Sequence, residues 1–130
     1  CRRAGLDYWP RLSPVEHEGF DDYLRAAHPE RLWLFTTKTS RPVWEADLAR
    51  GDHLVFGRET RGLPADLLER YPDRLLTLPM LPTERSLNLA TAVCAVVYEG
   101  IRQLVASGQA ALDASGRILE PASANPARAR

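Results

Sequence analysis

This 130-residue chain is short of several things, and each shortage narrows what it can be. Its two cysteines, Cys1 and Cys94, show no C-x-x-C spacing. A disulfide framework is not indicated, and a cysteine zinc site or thioredoxin-like motif has little support. Such sparse cysteine use fits a reducing, cytoplasmic setting. No uninterrupted apolar run reaches the roughly 18 residues that suggest a membrane span. The opening residues do not follow the charged-then-apolar order of a signal peptide. Net charge is missing too: 17 basic and 17 acidic residues cancel. That excludes a polybasic tail but leaves room for a local basic patch. There is no internal repeat, no G-x-G-x-x-G and no G-x-x-x-x-G-K-[ST]. His17, His28 and His53 lack metal-ligand spacing, so no metal is expected.

What remains is ordinary for a folded domain. Apolar residues make up 45% and charged residues 26% of the chain, and the length allows one domain. A chain of this size buries about 68% of its unfolded surface, enough for a core. Of the 17 basic residues only Lys38 is a lysine. Arginine offers bidentate phosphate contacts and stacking, but composition bias of the source genome is the plainer explanation of the excess.

Residues 19–27 carry Phe20, Tyr23, Leu24 and Ala27 at helical spacing. Asp21 and Asp22 suit the positive helix end, and Pro29 stops the helix after a cap at His28. Residues 31–37 (RLWLFTT) and 53–57 (HLVFG) read as buried strands. A short helix is expected near Trp44, a turn at Gly51-Asp52, a helix over 65–70 and a third strand over 75–78. The strongest helix is expected over 86–107, with Ser86 as its N-cap and Gly108 as its stop. Its first half, 87–97, is apolar nearly all round and should be buried on most sides, with Cys94 a small buried hydrophobe. The domain should cover residues 1–112, with 113–130 a mostly disordered tail.

Short apolar strands alternating with helices argue for an α/β fold with a mainly parallel sheet. Ligands in such sheets sit beyond the carboxyl ends of the strands. Three loops occupy that place, after Phe35, Gly57 and Leu78. In the second, Gly57 lets a ligand approach the backbone, and Glu59 between Arg58 and Arg61 can orient one guanidinium. A solvated charged turn would read the same way. In the third, Pro79 and Pro82 stiffen the approach to a helix start, where backbone N–H groups suit an anion. Plain capping by Ser86 accounts for the same residues. From the residues alone, the reading stops at an α/β ligand-binding domain.

Three stretches go further. They are Arg2-Arg3-Ala4-Gly5-Leu6-Asp7-Tyr8 with Leu34-Phe35-Thr36-Thr37-Lys38; Phe56-Gly57 with Glu59-Thr60-Arg61-Gly62-Leu63-Pro64; and Pro79-Met80 with Arg85-Ser86-Leu87-Asn88-Leu89. With these, residues 2–107 resemble the SPOUT superfamily of RNA methyltransferases, in its SpoU-like branch. The likeness is greatest to small single-domain tRNA 2′-O-methyltransferases that modify the wobble nucleotide, cytidine or a modified uridine. The resemblance implies a parallel sheet with a C-terminal trefoil knot, S-adenosylmethionine as cofactor, the tRNA anticodon stem-loop as substrate and a homodimer. It assigns cofactor binding to Phe35, Gly57, Leu78 and Ser86. Supporting catalytic roles fall to Glu59, Arg61 and Asn88. RNA contacts fall to Arg2, Arg3, Arg58, Arg85 and Tyr98, with Tyr98 also a candidate dimer contact. The family's main catalytic arginine follows its first strand, so the resemblance places that residue, and a strand–helix unit, upstream of Cys1. A ribosomal RNA 2′-O-methyltransferase and a non-catalytic RNA- or cofactor-binding fragment are the competing readings.

Overall fold

A computed structural model describes residues 13–84 and 86–119. The sequence expectations for Arg2, Arg3, Arg85 and residues 120–130 lie outside the described residues. The chain runs α1 (Phe20–Ala27), β1 (Leu32–Phe35), β2 (His53–Phe56), α2 (Ala65–Arg70), β3 (Leu75–Leu76) and α3 (Leu89–Ala106). Two 3-10 turns, Val43–Glu45 and Pro72–Arg74, fill the connections. The strands form a sheet of order β2-β1-β3, and both pairings are parallel. The expected α/β class and parallel sheet are therefore present.

The central strand shows how sequence becomes layers. Side chains alternate across a strand, so Trp33 and Phe35 face one side while Leu32 and Leu34 face the other. The first pair packs with Val43, Ala46, Leu48, Leu76 and Val96, bringing in α3. The second pair packs with Leu63 and Leu67 of the α2 region, and with Phe20, Tyr23 and Leu24 of α1. Helices thus cover both faces of β1, which is buried along its whole length.

α1 ends where expected. His28 adopts a left-handed φ of 44°, and its N–H donates to the Leu24 carbonyl. Between β1 and β2 the chain is pinned by one buried carboxylate. Asp52, whose side chain is only 4% exposed, lies 2.8 Å from Arg31 Nε. It also accepts hydrogen bonds from Trp33 Nε1 and the Ala49 amide, both at 2.9 Å.

Four expectations need correction. β2 is half-buried rather than buried, because among the described residues it has a neighbour on one side only. β3 ends at Leu76, not residue 78, because Thr77 pairs instead with Pro42 of the β1–β2 connection. α3 begins at Leu89 and is capped by Asn88, not Ser86: Asn88 Oδ1 accepts from the Thr91 N–H, and residues 86–88 lie outside the helix. Lastly, α3 is not buried on most sides. It packs through Val96 and the half-buried Ala92, Gly100 and Gln103, at helical spacing. Its other face leaves Cys94 exposed, with Val97 41% and Tyr98 67% exposed.

By length and mean hydropathy, 18 residues at 1.4, α3 reaches the range of a membrane span. Glu99 and Arg102 interrupt its apolar run. Beyond Gly108, whose φ of 74° ends the helix, residues 113–119 form a turn. There Asp113 accepts from the Ser115 and Arg117 amides, and Leu112 bridges Ile118.

Two predictions follow from these anchors. Asp52→Ala strands the Arg31 and Trp33 donors and should cost about 3 kcal/mol of unfolding free energy. Urea melts read this directly, and a loss below about 1 kcal/mol, the worth of an ordinary hydrogen bond, would show that the carboxylate is no anchor. The second concerns Glu99, whose carboxyl is pulled from 4.5 down to about 2, chiefly by its hydrogen bond from Arg102. The folded value lies below the unfolded one, so the unfolded chain takes the proton first as pH falls. Stability from this group is full above pH 4.5 and drains away toward pH 2. The urea midpoint of Glu99→Gln should fall less steeply across that window than wild type, and parallel curves would refute the linkage.

Candidate functional site

Because all three strands are parallel, their carboxyl ends lie on one edge. The register aligns Phe35 with Phe56 on one side and with Leu76 on the other. The Phe35 and Phe56 rings stack at 4.7 Å with 12° between their planes. Above this apolar floor lies a cleft of about 450 Å³. Its walls are the loop after β1 (residues 36–38), the loop after β2 (57–63), residues 77–80, and the start of α3 with the segment before it. Phe35, Gly57, Leu78 and Ser86 all line it, as do Arg58, Glu59 and Arg61. Four residues chosen from three separate loops thus meet in one place.

The loop after β2 is tight. The Arg58 N–H donates to the Gly62 carbonyl at 3.2 Å, and the Gly62 N–H returns to the Arg58 carbonyl at 2.8 Å. Gly62 has a φ of 67°, where a side chain is strained. The fold-back also explains Gly57. A Cβ there would sit 2.6 Å from Gly62 Cα and closer still to the Gly62 carbonyl carbon and the Leu63 nitrogen. The glycine is needed for the chain's own close approach, rather than only for a ligand's.

The expected pairing of Glu59 with a neighbouring arginine is absent among the described residues. Its carboxylate instead accepts from Asn88 Nδ2 at 3.3 Å. Asn88 therefore uses both ends of its amide, one to cap α3 and one to hold Glu59. With Asn88 as the cap, the exposed Ser86 is left in the cleft wall. Tyr98 is placed elsewhere, on the exposed face of α3, where Leu89, Val93, Cys94 and Val97 form an apolar patch reaching back to Glu59.

Sequence reasoning assigned no role to Thr36, Thr37 and Lys38, yet they form one wall. Their position directly after a strand's carboxyl end was the available signal. Met80, Leu87 and Leu89 also line the cleft. No single-residue signal marked them, because apolar residues in loops and helices look alike whether they face a core or a ligand.

Gly57→Ala should cost about 2–3 kcal/mol of stability through overpacking and collapse the cleft's capacity for ligand. Wild-type melting together with wild-type ligand affinity would contradict the clash. Asn88→Ala should cost about 1 kcal/mol as a lost cap. Ser86→Ala should leave the urea midpoint unchanged, since Ser86 caps nothing.

The chain is similar to several known proteins. Residues 1–98 match the SpoU rRNA methylase family. The chain is 47% identical over 108 residues to a tRNA (cytidine(34)-2′-O)-methyltransferase of Saccharophagus degradans, covering 82% of this chain and 70% of that protein. It is similar to a structure described as giving insights into the 2-OH methylation of C/U34 on tRNA, with 42% identity and a TM-score of 0.73, covering 80% of this chain and 68% of that one. It also resembles the SpoU methyltransferase AviRb of Streptomyces viridochromogenes in complex with AdoMet, with 29% identity and a TM-score of 0.53, covering 66% of this chain and 34% of that one. The chain spans 65 to 70% of the length of the curated relatives it matches. With the parallel sheet and its cleft, the match over residues 1–98 establishes that the chain belongs to the SpoU rRNA methylase family.

Proposed function

We propose that this chain carries the cofactor and substrate cleft of an S-adenosylmethionine-dependent methyltransferase acting on the 2′-hydroxyl of the tRNA wobble nucleotide. The observation that carries this is the meeting of Phe35, Gly57, Leu78 and Ser86 in one cleft, with the Glu59–Asn88 pair beside them. The Saccharophagus relative's name supports the tRNA reading over the ribosomal one.

The cleft suits the cofactor. Its volume lies within the usual range for small-molecule sites. The Phe35–Phe56 stack and the main chain at 57–63 and 77–78 offer a flat, partly apolar slot to an adenine ring. When bound, S-adenosylmethionine supplies an activated methyl group. Phe35, Gly57 and Leu78 would hold the adenosine part, and Ser86 would offer a hydroxyl at the wall. A ribose hydroxyl is a weak nucleophile and depends on orientation. Glu59 accepts its hydrogen bond, and Asn88 keeps Glu59 in place. Arg61, on the same loop, sets a positive charge beside the oxygen as Glu59 takes its proton.

The same reading takes loops 57–63 and 77–88 as the trefoil knot of the family, supported by their adjacency at one cleft. It takes the exposed apolar face of α3 as the seam with a second copy of the chain, supported by the exposure of Val97 and Tyr98. Arg2, Arg3, Arg58 and Arg85 serve RNA binding, and the enzyme works in the cytoplasm, where its substrate is.

The test is methyl transfer from labelled S-adenosylmethionine to bulk tRNA, followed by nuclease digestion to locate the product. Calorimetry measures cofactor affinity in parallel. Expected are cofactor binding, weakened in Ser86→Ala despite unchanged stability, and a 2′-O-methylated wobble nucleotide in the tRNA. A protein that binds no cofactor overturns the reading, and label found only in ribosomal RNA replaces it with the ribosomal one.

A further inference from the structure

The rim of the cleft carries more positive charge than a methyl donor needs. Lys38, Arg58 and Arg61 are exposed and all line it, against one carboxylate, Glu59. Among the described residues none of the three cations makes an ion pair. The contrast with Arg41, three residues beyond Lys38, is informative. Arg41 donates to the Asp73 and Glu45 carbonyls at 3.1 and 3.2 Å and lies over the Trp33 ring, so it is committed to the fold. Lys38 has no such commitment.

The loop holds Lys38 at the rim by a local device. The Lys38 N–H donates to Thr36 Oγ1 at 3.2 Å, turning the chain directly after β1. Lys38 therefore stands on one wall, while Arg58 and Arg61 stand on the loop after β2. A sulfonium cofactor is itself cationic, so surrounding cations gain little from it. A nucleic acid strand brings one negative charge per nucleotide, and cations on two walls suit a backbone lying across the mouth. A lysine provides a compact point charge with three rotatable donors, fit for a phosphate whose angle of approach is not fixed in advance.

Resting on the functional reading above, we propose that Lys38 is a positioning residue that holds the RNA phosphate beside the target ribose, opposite Arg58 and Arg61, and so sets which 2′-hydroxyl reaches the methyl group. It contacts substrate backbone and reads no base.

The experiment compares wild type, Lys38→Gln and Lys38→Arg. An anticodon stem-loop RNA is titrated at several salt concentrations, and S-adenosylmethionine is titrated by calorimetry. Lys38→Gln should weaken RNA binding about tenfold, the scale of one charged hydrogen bond. It should also reduce the slope of log affinity against log salt by about 0.7 to 0.9, one phosphate contact. Cofactor affinity should not change, and Lys38→Arg should recover most of the RNA affinity. RNA affinity and slope that stay at wild-type values in Lys38→Gln overturn the inference while leaving the methyltransferase reading intact. An equal loss of cofactor affinity overturns it as well, because Lys38 would then serve the cofactor's carboxylate. A wild-type protein that binds no RNA removes the RNA reading and this inference together.

Discussion

The site depends on one constraint: three short strands running the same way, with their last residues level. Phe35 aligns with Phe56 and Leu76 across the sheet. A one-residue slip of β2 would turn Phe56 to the opposite face, unstack it from Phe35 and carry Gly57 away from Leu78. Parallel pairing also forces every crossover to the far side, which leaves the carboxyl edge to loops. The helices hold this register. α1 and α2 grip the Leu32–Leu34 face, and α3 grips the Trp33–Phe35 face. Asp52 fixes the crossover from β1 to β2 by holding Arg31, Trp33 and Ala49 together.

Much of this was legible in the residues. Strand-forming runs at 31–37 and 53–57, the helix at 65–70 and the ends of α1 all appear close to their expected places. They have strong local signals: β-branched and aromatic runs, acidic first turns and a following proline. Two kinds of feature were not legible. Burial of α3 was over-read, because an apolar helix looks the same whether a core or another surface covers it. The N-cap was misplaced by two residues, because Ser86 and Asn88 are equally good caps by type. Only the non-helical backbone at residues 86–88 separates them. That three loops share the carboxyl edge followed from the alternation of strands and helices, whereas the choice of Phe35, Gly57, Leu78 and Ser86 within them came from family resemblance.

Neutral overall charge proves compatible with a polyanionic substrate because the charges are sorted by task. Asp21 with Arg70, Glu99 with Arg102, and Asp52 with Arg31 are spent within the fold. Arg41 is consumed by carbonyls and by Trp33. Lys38, Arg58 and Arg61, which make no ion pair among the described residues, stand around the cleft against Glu59, so the local charge there is positive while the sum over the chain is zero.

The fold-back of the loop after β2 has a thermodynamic consequence. Its shape is held by main-chain hydrogen bonds between Arg58 and Gly62 and by the close passage of Gly57. The opposite segment is stiffened by Pro79 and Pro82. Ordering these walls is therefore charged to folding and not to binding. A ligand meets a preorganised slot, and its affinity is spared the entropy of closing a floppy loop around it.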